Sequence, residues 1–163
     1  MNVLVPTKQL VINAAFLQEI KDSNQDLWLV LSAIRGTCQL QDEPIAVLRL
    51  LIEQLDQLRD LLAFQFTLEE SYGWIEVERP ASGLPPEQSA PSIAPSELPN
   101  QHCALYLDVS DLVEQAEELQ YRGVNLMALK TLLESTIRFD AKLREHEALE
   151  QELIVAGLPT GTT

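Results

Sequence analysis

A chain of 163 residues with 46% hydrophobic content is long enough for one domain with a real core and too apolar for disorder. Its 25 acids against 11 bases leave a net charge of -14, with no cluster of Lys and Arg to replace counterions on a nucleic acid and a sign that repels anionic lipid. Nucleic acid and membrane surfaces are therefore not expected partners.

Two cysteines, Cys38 and Cys103, lack C-x-x-C spacing and make no disulfide framework, so reduced thiols in a cytoplasmic protein are the simpler expectation. The first residues, with Pro6 and Lys8 interrupting the apolar run, read as neither a signal peptide nor a membrane span.

Helical spacing dominates. Leu10, Ala14, Leu17, Ile20, Leu27, Leu31 and Ile34 recur at three- and four-residue steps, which predicts a first helix over about 7–36, with Pro6 in its first turn and Gly36 as its stop. Pro44 opens a second helix over about 44–77, striped by Val47, Leu48, Leu51, Leu55, Leu58, Leu62, Leu68 and Tyr72. Residues 80–99, which hold most of the chain's 9 prolines, show no helical period and read as an extended connection. A third helix over about 101–122 carries Val109, Leu112, Ala116 and Leu119, and Gly123 stops it. Asn125 caps a fourth over about 126–156, striped by Leu129, Leu132, Phe139, Leu143, Leu149 and Leu153, with Gly157 and Pro159 beyond it. No strand or hairpin signal is evident. The expected fold is all-α: a single-domain, up-down-up-down four-helix bundle with a Pro-rich connection between its second and third helices.

Polar residues on these stripes need a reason, because buried carboxylates are rare unless paired or bound to metal. Gln65 follows Leu62 by three residues, Glu69 lies one turn on, and both face inward. The only 2 histidines, His102 and His146, also lie on inner faces, with Glu150 one turn beyond His146. His102 precedes the third turn by about 20 residues and His146 follows it by about 21, which sets both roughly 30 Å from that turn. Gln65, about 21 residues past Pro44, reaches a similar depth, whereas Asn24, about 12 residues before Gly36, reaches only roughly 18 Å.

With these positions in view, "LRDLLAFQFTLEESYGWIE" resembles the second helix of hemerythrin-like proteins, where a His, an aromatic residue and Glu-Glu carry the motif. "LQEIKDSNQDL", "QHCALYLDVSDLVEQAEEL" and "LREHEALEQELI" resemble its other three helices, so the resemblance spans most of the chain outside the Pro-rich stretch. It implies four antiparallel helices around a non-haem di-iron centre that binds oxygen or a related small ligand. Carried over position by position, it implies metal ligands at Glu69, His102, His146 and Glu150. Gln65 and Asn24 stand where the family has histidines, Tyr106 where it has a further one, and Glu70 follows Glu69. The family's full pattern uses more histidines than the 2 present here.

Two outcomes follow from the depleted set. Two His and two Glu can hold a divalent ion, iron by resemblance, mono- or dinuclear, in a protein that binds or senses a metal or small ligand. The same residues can form a metal-free hydrogen-bonded network in a helical interaction module whose protein partner is unknown. Neither is an enzyme, since an oxidase or peroxidase on such a bundle needs more His and Glu than the stripes supply. Cys103, Trp28 and Trp74 read as packing residues, and Glu145, Glu147 and Glu152 as a solvated face.

Overall fold

The computed structural model describes residues 7–79 and 95–157, and these are mostly helical. In chain order they form strand β1 (Thr7–Ile12), helices α1 (Ala14–Ser23), α2 (Gln25–Cys38) and α3 (Pro44–Leu68), and a π-helical turn (Glu69–Gly73). Strand β2 (Trp74–Arg79), a 3-10 turn (Pro95–Glu97) and helices α4 (Leu98–Arg122) and α5 (Leu126–Gly157) follow. The Pro6 and Pro159 assignments, and most of the Pro-rich connection, lie outside the described residues. Among the described residues no helix is long and apolar enough to cross a membrane.

Most of the stripe residues are buried as their spacing predicts, whereas Tyr72 is 60% exposed and Leu68, Leu119 and Leu149 are half-buried. Leu17, Leu27, Leu31, Ile34, Leu51, Leu55, Leu58, Leu62, Val109, Ala116 and Leu143 lose nearly all exposure. At about 1.5–3 kcal/mol for each fully buried leucine, this apolar interior is the main force holding the helices together. Helix α3 packs between α2 and α4, and α5 packs against α4, α2 and α1. Gly123, at φ 98°, turns the chain after α4 in a conformation that disfavours side chains. The Asn125 Oδ1 then accepts from Met127 N at 2.8 Å and caps α5.

Three expectations are corrected. Residues 7–12 are a strand rather than the start of the first helix, and 74–79 are a strand where the second helix is expected to run on to about 77. β1 and β2 pair antiparallel from Thr7↔Arg79 to Ile12↔Trp74, and Asn13 N donates to Gly73 O at 2.7 Å beside them. Along this ribbon Leu10 and Trp74 turn inward while Val11 and Ile75 face out. So short an alternation also satisfies a helical stripe, and pairing partners more than 60 residues apart leave no local trace. Second, the first helix is two helices, broken at Asn24 (φ -103°, ψ 55°). Third, α2 runs past Gly36 to Cys38, so Gly36 does not stop it.

Gly73, the last residue of the π turn, lies close against Leu17. A Cβ there would lie 2.3 Å from Leu17 Cδ2 and 3.2 Å from its Cγ, and Leu17 is completely buried. Gly73→Ala is therefore expected to cost about 1–3 kcal/mol by forcing Leu17 off its seat. Urea denaturation checks this, and an unchanged midpoint would show that Leu17 has room to move.

Candidate metal centre

The site lies where α1, the π turn, α4 and α5 converge, and each polar side chain arrives by helical spacing. Gln65 follows Leu62 on the inner face of α3, and Glu69 lies one turn later at the start of the π turn. A π turn adds a residue to the local repeat and recurs at functional sites. His102 stands in the first turns of α4, and His146, Glu147 and Glu150 occupy the inner face of α5. All six of these residues are buried, Glu69 and Glu150 completely.

Phe66 stacks on His102 with centroids 3.9 Å apart and planes 9° from parallel, and Trp74 closes over the same imidazole at 5.2 Å. These two rings fix the imidazole plane. His102 Nε2 is 3.1 Å from Glu69 Oε2 and 3.8 Å from Glu150 Oε2. His146 Nε2 is 2.9 Å from Glu150 Oε2. On its other side His146 Nδ1 meets Gln101 Oε1 at 2.7 Å. An amide oxygen can only accept, so Nδ1 donates to Gln101 and the ring is oriented with Nε2 toward the interior.

At 2.9 Å, His146 Nε2 and Glu150 Oε2 are at ion-pair distance. Yet both ring nitrogens of His102, His146 Nε2, Glu69 Oε2 and both oxygens of Glu150 have no hydrogen-bond partner. They meet one another only as ion pairs, at 2.9, 3.1 and 3.8 Å. One atom each from His102, His146 and Glu150 lies within 4.8 Å of the others, a grouping of residue types that can hold a metal ion. The donor set, two imidazoles with carboxylates, suits iron or zinc.

A second set of groups occupies the side facing α1. Lys21, with a side chain 10% exposed, pairs with Glu147 Oε2 and lies 3.4 Å from Glu150 Oε1. Gln65 Nε2 donates to Glu69 Oε1 at 3.0 Å and to Glu147 Oε1 at 3.1 Å. Asn24 Nδ2 donates to Gln65 Oε1 at 2.5 Å, so Asn24 and Gln65 meet despite the shortfall in depth counted along the sequence. Asn24 precedes α2 without capping it, its amide being engaged by Gln65.

These neighbours shift the titrations. Burial pushes the Glu69 carboxyl up to about 7, against the opposing pull of His102. Burial works against a charge on His102, but Glu150 and Glu69 outweigh it and raise the imidazole to about 9. Burial would raise Glu150 too, yet His102, His146 and Lys21 hold it well below the usual carboxylate range. For Lys21, burial is overcome by Glu147, Glu150 and Glu69, and its ammonium is held more firmly than usual.

Of the sequence-derived residues, Glu69, His102, His146 and Glu150 come together, with Gln65 in contact and Asn24 behind it. Glu70 stands outside, with a side chain 48% exposed and its Oε1 3.4 Å from His102 Nδ1. Tyr106 is 41% exposed and lines a surface pocket that also reaches His102. Glu147 is corrected, being buried rather than on a solvated face, and Cys103 and Trp28 are exposed rather than packed inside. Sequence reasoning missed Lys21, Glu147 and Gln101. Lys21 follows Leu17, and Glu147 follows Leu143, each by one turn, which places both on the buried stripes. Compared with protein-family models, with curated proteins and with solved structures, the chain finds no match.

Proposed function

We propose that this protein is a hemerythrin-like up-down-up-down four-helix bundle, α1 and α2 together making one leg, that binds one divalent transition-metal ion per chain. Iron is the leading candidate. Glu69, His102, His146 and Glu150 are the ligands, and Gln101 orients His146 for the purpose. The observation that carries this reading is the convergence of buried nitrogen and oxygen atoms that have no hydrogen-bond partner, because such groups are costly unless something satisfies them. Four ligands leave open positions for a small molecule. The pocket of about 250 Å³ lined by Phe66, Glu70, His102 and Tyr106 is its route, which fits a binding or sensing role in the cytoplasm better than catalysis. A metal-free interaction module is the second reading, and Lys21 favours it by already placing one cation among the carboxylates.

Elemental analysis separates the two. Protein reconstituted anaerobically with ferrous iron, zinc or manganese is expected to retain about one ion per chain after dialysis. His146→Ala is expected to weaken retention by about 100-fold or more, since it removes a ligand from a site with few to spare. Retention of none of the three metals by the unaltered chain would refute the metal reading and leave the interaction module.

A further inference from the structure

The buried cluster has two halves that share their carboxylates. Glu150 turns Oε2 toward His146 and His102, and Oε1 toward Lys21. Glu69 turns Oε2 toward His102 and Oε1 toward Gln65. Glu147 belongs wholly to the second half, with Oε2 on Lys21 and Oε1 on Gln65. No histidine reaches that half; its positive charge is the Lys21 ammonium, almost removed from solvent. Glu150 Oε1 is fully buried and has no hydrogen-bond partner, its neighbour at 3.4 Å being the ammonium at ion-pair range.

We infer that the Lys21 ammonium is the chain's own occupant of a second cation position, and that it holds binding at one metal ion per chain. This rests on the one-ion reading of the histidine half. The charges support it: three carboxylates, one ammonium and one divalent ion sum to zero, whereas a second divalent ion beside Lys21 would leave the buried cluster strongly positive. Burying an unbalanced charge is heavily unfavourable. With a neutral side chain at 21, the Glu147 and Glu150 oxygens that now meet the ammonium are left with an uncompensated negative charge. An oxygen-rich position of that kind favours a hard divalent ion such as manganese. Lys21 is thus a specificity-determining residue for stoichiometry, and the second position takes a divalent cation once Lys21 is gone.

The test uses manganese(II) and the full chain, counting ions after equilibrium dialysis and recording the EPR spectrum, which distinguishes an isolated Mn(II) from a coupled pair. The unaltered chain and Lys21→Arg are expected to bind one ion each, with the spectrum of an isolated ion. Lys21→Met is expected to bind two and to show the coupled spectrum. Lys21→Met combined with Glu147→Gln should return to one. If Lys21→Met binds one ion, as the unaltered chain does, the inference is overturned and the one-ion reading stands. If the unaltered chain binds none, the reading beneath it falls as well. Should Lys21→Met fold poorly without metal, melting temperatures decide: manganese is expected to raise that of Lys21→Met more than that of the unaltered chain, and an equal or smaller rise overturns the inference.

Discussion

Between pH 7 and pH 9, binding of a divalent ion will tighten by roughly a hundredfold. The cause is His102, whose imidazole is held protonated up to about pH 9 by Glu150 and Glu69. A metal ligand must be the neutral ring, so the ion has to displace that proton. For each pH unit below 9 the displacement weakens binding about tenfold. Glu69, raised to about 7, loses its own proton in the lower part of this range and adds to the effect near pH 7. Calorimetry at each pH, in buffers of different ionisation enthalpy, measures both the affinity and the proton release, expected at about one per ion at pH 8. A constant affinity from pH 7 to 9 would show that His102 is not a ligand. The same shift has the opposite sign for the metal-free fold. His102 is raised above its ordinary 6.5, so its charged pairing stabilises the chain fully below pH 6.5 and is lost as the pH rises through about 9. Metal-free protein should therefore melt lower at pH 9 than at pH 7, and the metal-bound form should narrow that gap.

Trp74→Ala is expected to cost about 3–5 kcal/mol, a large part of the roughly 5–15 kcal/mol by which a domain of this kind is stable. Trp74 is 8% exposed and joins Leu10, Leu98 and Leu153 in a small second core beneath the ribbon. Its indole also lies against His102, so truncation both empties that core and frees the imidazole to turn. Trp28, at 37% exposure, is the internal comparison, and Trp28→Ala should stay within about 1 kcal/mol. Guanidinium titrations of the two variants separate these outcomes. Equal losses would mean that the ribbon contributes no packing of its own.

Much of the helical frame was legible because its signals are local. Leu48, Leu55 and Leu62 announce α3 by their seven-residue spacing, and Gly123 and Asn125 mark the turn into α5 by backbone chemistry. The inward positions of Gln65, Glu69, His102, His146 and Glu150 followed from the same spacing. The ribbon was not legible: strands of six residues, paired across the length of α1, α2 and α3, have no sequence signature beyond a brief alternation. Lys21 and Glu147 were missed for a different reason. Charged residues at a stripe's edge normally reach solvent by their own length, and only the facing helix decides whether they meet each other instead. Glu147 sits between Glu145 and Glu152 in the sequence, and its burial depends on Lys21 arriving from α1.

The ribbon also bears on the order of assembly. Its paired residues are separated by 62 positions at Ile12↔Trp74 and 72 at Thr7↔Arg79, obtained by subtracting the paired residue numbers. Closing a loop of that length loses chain entropy before any strand bond repays it, whereas α4 and α5 meet across a turn of a few residues. Helices come first on this ledger and the ribbon last. Trp74 is the first residue of β2, so on this order its indole takes its place over His102 late, after Phe66 of α3 has stacked on the same imidazole.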